Sequence, residues 1–428
     1  SVLNSAYDRM SSTGYYGRNF ILDGDVRTDN AYSNMNSGRF ASSGMNYTSQ
    51  GAGPWGSIYG VIAITNIVIG ADPTSLTGSA AQIAHTQGQA YAIRALAHFD
   101  LLKSYGQHFV TGQGGGAGLG IPYVKTYKDP AFLTPARGTV GSNVGDIVSD
   151  LTTAIAMMSQ SLDGSSSYMT VAGAYAIGAR ALLYAGSVDS SLYATAGTMA
   201  KWVIDNSGRS PASASGFAAT YTTDNASNSI VELAFSGTDS RGINGCAYIL
   251  RGTSYGDVRI LTGDGANPDL YDIFDAADVR FGANMIGTAQ GYPTVLGKYP
   301  TMNGSDNITI LRVEEMHLIY AEAMLRAGDT ATALTYLNNI PAIRGAAPYA
   351  SATLDNILLE RRKEFYFEGL RYDDLLRTGQ GMPLIDSKKQ LNDDLTGTPP
   401  AFGSYRTAYP IGTGEMNANP NMVENYGY

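Results

Sequence analysis

The chain has 428 residues and a net charge of −9, and no run of Lys or Arg supplies the basic face that nucleic acid or an anionic membrane surface requires. Hydrophobic residues reach 44%, ample for a large core, while 29 Tyr and 51 Gly against 28 Lys plus Arg point to an uncharged polar and aromatic surface suited to neutral ligands. Cys246 is the single cysteine, which excludes an intrachain disulfide and a cysteine-based metal site and leaves a buried thiol as the expectation.

In chain order, the first segment that helical periodicity does not explain is 14–53, rich in Gly, Ser, Asn, Asp and Tyr. Helices follow at Trp55–Gly70 and Ala80–Tyr105, where Tyr91, Ala95, His98/Phe99, Leu102 and Tyr105 recur at spacings of three and four. A glycine-rich loop, 112–137, leads to helices over Asn143–Ser159 and Met169–Ala185, and Gly178–Asp205 reads as a helical pair. The segment 207–299 is a long insertion in which SIVELAFS and ILRGTSYGDVRI alternate like short strands. Ile310–Leu325 is apolar on nearly all sides and belongs at the centre. With Thr330–Ile340 it resembles a tetratricopeptide repeat, small Ala321, Gly328 and Ala333 marking the close contacts. Three domains would be the length prior, but a helical repeat array runs as one unit, so a single domain spans 1–428. Its repeat helices occupy about 55–205 and 310–340 and its loop-rich face about 14–53 and 207–299. Insertions this long in a compact fold usually carry function.

Between Glu360 and Gly379 ten of twenty residues are charged, five of each sign, and they interleave with Phe365, Tyr366, Phe367, Tyr372, Leu375 and Leu376. Such balance predicts an internally paired network in which Arg361, Arg362, Arg371 and Arg377 are at least partly buried and paired to carboxylates. No apolar run reaches the ~18 residues that span a bilayer, and no basic-then-apolar segment opens the chain at Ser1, so it reads as mature and soluble.

Catalytic patterns fail one by one. Gly252-Thr253-Ser254-Tyr255-Gly256 fits G-x-S-x-G, yet a nucleophile elbow must open into a helix and GDVRILTGDG follows. Glu314 and His317 make one E-x-x-H without the second copy that a di-iron site needs. Gly112–Gly120 follows a helix, which argues against a phosphate cradle. The pairs Asp373/Asp374 and Asp393/Asp394 are adjacent and point apart if helical. Asp264, Asn267 and Asp269 lack the spacing of a known calcium loop. No catalytic residue, metal or cofactor is expected.

The charged segment resembles the C-terminal signature of the SusD/RagB family, E-R-R-x-E-[LF]-x-F-E-G-x-R-[WY]-x-D-L-x-R-T-G, with Asp374, Leu375, Arg377, Thr378 and Gly379 in register. The stretches Gly88–Gly106, Ile310–Asp329 and Tyr409–Tyr428 agree in order. The last departs by Gly412 and Tyr426 where the family has prolines. The resemblance implies a mainly α, tetratricopeptide-like scaffold with long inserted loops and a few strands, and a signature region over 360–428. It implies a lipid-anchored protein of the outer-membrane cell surface, its leader preceding Ser1, that binds a glycan and delivers it to a SusC-like TonB-dependent transporter. In isolation it would be a monomer. A peptide ligand, as in the RagB branch, is the alternative, and a glycoside hydrolase or esterase is the rival of another class. Ligand residues in the family lie partly in the first long loop. There Tyr32 with Asn34 and Asn36, and Asn46 with Tyr47, are the candidates, joined by Tyr292, whose neighbours Gly291 and Pro293 would hold the ring out on a turn. Trp55 and Trp202 read as core.

Overall fold

The computed structural model describes residues 1–44, 53–263, 266–282, 284–390 and 399–428. Its helices are, in chain order, α1 (Val2–Met10), α2 (Asn19–Val26), α3 (Ala41–Gly44), α4 (Trp55–Ile69), α5 (Ala80–Tyr105), α6 (Val140–Met157), α7 (Val171–Ala185), α8 (Leu192–Asn206), α9 (Cys246–Arg251), α10 (Val313–Arg326), α11 (Thr330–Asn338), α12 (Leu354–Phe365), α13 (Arg371–Arg377) and α14 (Thr413–Ala418). Six short strands form three two-stranded antiparallel sheets: β1 (Ala31–Ser33) with β3 (Val258–Ile260), β2 (Ser229–Leu233) with β6 (Ile308–Arg312), and β4 (Ile286–Ala289) with β5 (Tyr292–Val295). No described helix is long and apolar enough to cross a membrane.

The scaffold is a row in which α1 packs on α4, α4 on α5, α5 on α6, α7 on α8, α8 on α10 and α10 on α11. The expected pairing of 143–159 with 169–185 is the thinnest contact in that row; α6 lies chiefly along α5 and α7 along α8. Side-chain caps start the helices. Ser79 and Gln82 close a capping box on α5, and Thr139, Thr170, Asp329 and Thr353 accept from the third residue of α6, α7, α11 and α12. Small residues set the spacing: a Cβ on Gly197 would lie 2.6 Å from that of Ala323, which is how α8 and α10 approach. The central helix begins at Val313 rather than Ile310, because Ile310–Arg312 continue a strand paired with β2. Of ILRGTSYGDVRI only Val258–Ile260 is strand, since Ile249–Arg251 end α9.

The charged segment clamps the insertions to this row. At its centre the fully buried Glu364 carboxylate accepts from Arg280 (3.0 Å), Arg344 (2.8 Å) and Arg312. Burial alone would raise that carboxyl, but the guanidiniums of Arg344, Arg312 and Arg280 outweigh it and hold it well below the carboxylate range. Around it Arg280 reaches Glu360 and Asp278 (both 2.6 Å), Arg344 reaches Glu314 (2.9 Å), and Glu368 takes Arg312 (2.9 Å) and Lys298 (2.6 Å). The four arginines expected to be at least partly buried and paired are so, Arg361, Arg362 and Arg377 buried and Arg371 partly buried. Arg361 bonds Asp374 (2.7 Å), Arg377 bonds Glu322 and Asp374 (2.8 Å each), and Arg362 and Arg371 share Asp29 (3.3 and 2.8 Å). The break at Gly369 has a steric cause. Its φ is +80°, its Cβ would sit 3.0 Å from the Ile21 backbone, and Asp25 receives both Phe367 and Gly369 N–H groups (3.0 and 2.9 Å).

A second buried polar set positions the loop after α5. The Val124 N–H donates to His98 Nε2 (3.0 Å) while His98 Nδ1–H donates to the Arg94 carbonyl (2.9 Å), which fixes a neutral tautomer. Asn66 donates to the Val124 carbonyl (3.0 Å), Arg94 to that of Lys125 (3.1 Å), and Tyr123, stacked on His98 at 3.7 Å, donates to Asp150 (2.7 Å). Burial, aided by the Arg94 and Lys125 charges, pushes His98 down to about 3, and burial does the same to His108.

Two outcomes follow from these contacts. Arg371→Ala, which strips one cation from the buried Asp29, should lower the unfolding free energy by about 3 kcal/mol in urea titrations while sparing ligand affinity. Unchanged stability would count against the network's role. A histidine of depressed folded pKa binds its proton more readily when unfolded, so its stabilisation is complete above about pH 6.5 and is lost on acidification. Stability should fall by about 2–3 kcal/mol per buried histidine from pH 6.5 to 4.5. His98→Gln should flatten that slope by its share; an identical slope in the variant would refute the assignment.

Candidate functional site

The loop face is organised by the β1–β3 ladder, whose register sets Tyr32 opposite Arg259. Ala31, Val258 and Ile260 point inward and are buried, so by the alternation of strands Tyr32 and Arg259 share the other face, each half-buried. Arg259 lies 3.8 Å from the centroid of the Tyr292 ring. Tyr292 itself is only 7% exposed, so it is not held out on a turn as expected. It opens β5, and its hydroxyl packs where a Cβ on Gly256 would lie 1.7 Å away. Only glycine at 256 leaves that slot, so Tyr292 serves as the floor under Arg259.

Tyr32 keeps part of its ring accessible, with Lys389 Nζ 5.6 Å from the centroid. Asn34 is committed to bracing: its Nδ2 donates to the Gly256 carbonyl (2.9 Å) and its Oδ1 accepts from Asn36 N–H (3.0 Å). Asn36 is exposed. Asn46 and Tyr47 lie outside the described residues. The face also gathers three residues that periodicity and composition did not single out. Arg39 stands 4.6 Å over the half-buried Tyr255 ring and 3.8 Å from Asp257. Asp257 is 1% exposed, yet neither of its oxygens accepts a hydrogen bond. A buried carboxylate with free lone pairs is costly unless something supplies donors. Met35 and Phe40, in the segment after β1, hold φ of +61° and +57°, backbone conformations that non-glycine residues rarely adopt.

The residues that fitted catalytic patterns are otherwise employed. Ser254 is exposed on a turn that runs from helix α9 to strand β3, the reverse of a nucleophile elbow. Glu314 is buried on Arg344, Asn228 and the Ala212 N–H, and His317 meets Asn339 (3.2 Å). Asp373 pairs with Lys103 (2.7 Å) and Asp374 with Arg361 and Arg377. Asn267 donates to the Leu384 carbonyl and Asp269 accepts from Tyr271 N–H; Asp264, Asp393 and Asp394 lie outside the described residues. Among the described residues no cluster of three or more His, Cys, Asp and Glu is placed to hold a metal. Cys246 is buried, its thiol pushed up to about 12 by burial.

Comparison with known proteins bears on the family. The sequence profile of the SusD family matches residues 269–428, and that described as starch-binding, associating with the outer membrane, matches residues 1–183. Both ends of the chain are thus SusD-like. The chain resembles a SusD superfamily protein of Bacteroides vulgatus at 26% identity and a TM-score of 0.86, covering 100% of this chain and 98% of that one. A SusD superfamily protein of Bacteroides thetaiotaomicron gives 27% identity and 0.85, covering 99% and 98%. The starch-binding protein SusD of B. thetaiotaomicron is 32% identical over 148 residues, 33% of this chain and 24% of that relative. The match thus spans about a quarter of the relative's length. The tetratricopeptide-like helical scaffold implied by the C-terminal signature is the fold observed.

The placement of the two tyrosines separates their roles in a measurable way. Tyr292→Ala should cost about 3 kcal/mol of stability by emptying the slot on Gly256, whereas Tyr32→Ala should stay within about 1 kcal/mol. Chemical denaturation giving equal losses would reverse the assignment.

Proposed function

We propose that this protein is a non-enzymatic, lipid-anchored receptor of the outer-membrane surface that captures a neutral oligosaccharide on the loop face and passes it to a SusC-like TonB-dependent transporter. The observation that carries the reading is the group formed by Tyr32, Tyr255, Arg39 and Asp257, whose carboxylate lies 3.8 Å from Arg39 and accepts no hydrogen bond. An aromatic ring accepts the apolar face of a sugar, while a guanidinium and a carboxylate answer its hydroxyls. Tyr47 and Asn46, in the adjoining segment, belong to the same proposal. The negative net charge and the absence of a basic stripe favour a neutral glycan over an acidic one. Among the described residues, those that fitted a catalytic pattern are spent on structure or, like Ser254, stand alone, which supports binding without turnover.

Titration calorimetry against a panel of glucans, mannans, xylans and peptides tests the reading. A glycan should bind, remain intact after prolonged incubation, and lose about 1–3 kcal/mol of affinity in Tyr255→Ala and in Arg39→Ala with the melting temperature little changed. Binding confined to peptides, wild-type affinity in the double variant, or cleavage that Ser254→Ala abolishes would each overturn it. Recovery of the lipidated protein from its native membrane without a barrel partner would remove the delivery step.

A further inference from the structure

Away from the loop face, a cleft of about 430 Å³ opens between α4 and the segment 122–135. That volume lies within the range of small-ligand sites, roughly 300–1,000 Å³. Its walls include Trp55, Tyr59, Tyr127 and Phe132, and its polar groups include Lys128 and Glu415. Trp55 is partly buried: its ring packs against the core beside that of Tyr105, 4.9 Å away, and also meets that of Tyr59 at 4.8 Å. The Tyr59 hydroxyl is spent on the Pro122 carbonyl (2.7 Å), which fixes that ring and leaves its surface as the contact. Phe132 is 61% exposed and Tyr127 45%, aromatic area that the rest of the chain leaves uncovered.

We propose that this cleft is a second carbohydrate subsite, taking one hexopyranose unit of a neutral oligosaccharide; it rests on the glycan-binding reading. Aromatic walls suit the C–H face of a pyranose. Lys128, with no ion-pair partner among the described residues, and Glu415, whose carboxylate meets only Asn419 Nδ2 at 3.3 Å, supply a donor and an acceptor for hydroxyls. Asp129 also lines the cleft, its carboxylate accepting from the Ala131 N–H (3.0 Å), so the acidic groups outnumber the one cation and the rim disfavours an anionic sugar. The walls are also set in advance. One belongs to helix α4, and the other is held to α4 and α5 by Asn66, Arg94 and His98, so little ordering is left for the ligand to cause.

Trp55 and Trp202 are the two tryptophans, and Trp202 is stacked on Tyr175 at 3.9 Å in α8, outside the cleft. Protein labelled with 5-fluorotryptophan, its resonances assigned with Trp202→Phe, can therefore be titrated with maltoheptaose, laminarihexaose, cellohexaose and mannohexaose while the heat of binding is recorded. The proposal expects at least one sugar to move the Trp55 resonance saturably and leave Trp202 fixed. Phe132→Ala and Glu415→Gln should each weaken that response at least tenfold, and Tyr255→Ala should preserve it. Heat of binding with Trp55 unmoved would remove the cleft and leave the glycan reading standing. Neither heat nor shift with any of the four sugars would remove both. A Trp55 shift that survives both cleft variants would place its cause elsewhere and overturn the subsite.

Discussion

The carboxylate of Glu364 is the point on which the arrangement turns. It is fully buried and receives three guanidiniums that come from separate parts of the chain: Arg280 from the long insertion, Arg312 from β6 and Arg344 from the turn after α11. Removing these ions from water costs several kcal/mol each, and only near-complete pairing offsets it. A network of this kind therefore adds little to stability over well-packed apolar residues. It does penalise alternatives steeply, because any other placement of the insertion would bury an unmatched charge. We read it as the device that makes one arrangement of insertion on scaffold far better than its neighbours, which in turn fixes where β3, β5 and the loop face lie.

Where sequence reasoning succeeded and failed follows from the range of the interactions. Charge balance within twenty residues announced the network, since Arg361 and Arg377 find Asp374 locally. Half of its anchors were illegible. Arg280, Arg312 and Arg344 carry no local pattern, and Asp25 and Asp29 sit in a segment that read as loop. That segment holds the helix α2, NFILDGDV, whose Gly24 and two aspartates are poor helix formers. It is helical because Gly24 meets the backbone of Gly369 at a distance that admits no side chain, where its own Cβ would lie 2.6 Å from the Gly369 carbonyl oxygen. Tertiary contact overrode propensity.

The candidate site shows the same division. A tyrosine flanked by Gly291 and Pro293 has every local mark of an exposed ring, and only the missing Cβ of Gly256, thirty-six residues earlier, shows that the ring folds inward. Tyr32 was singled out as a loop tyrosine beside Asn34 and Asn36, and the structure places it instead on strand β1, opposite Arg259. Asp257 was not, since the feature that distinguishes it is a buried carboxylate that accepts no hydrogen bond, and donors are known only once the chain has folded. Trp55 packs against the core as expected, yet it also lines a cleft that the sequence did not show: periodicity identifies a helix face, but the segment from residue 122 onward decides how far that face is covered.

Two modest aromatic sites, if both bind, suit a receptor better than one tight site. A stacked ring with a few edge hydrogen bonds contributes on the order of 1–3 kcal/mol, which alone gives weak binding. A polymer repeats its unit, so once one segment is seated the next arrives at a high effective concentration, and retention grows without any single contact becoming strong. Release remains fast because each contact opens separately. On the proposed reading, in which the ligand is handed on to a transporter, that combination is what is needed, with one proposed site on the β1–β3 platform and the other against helix α4.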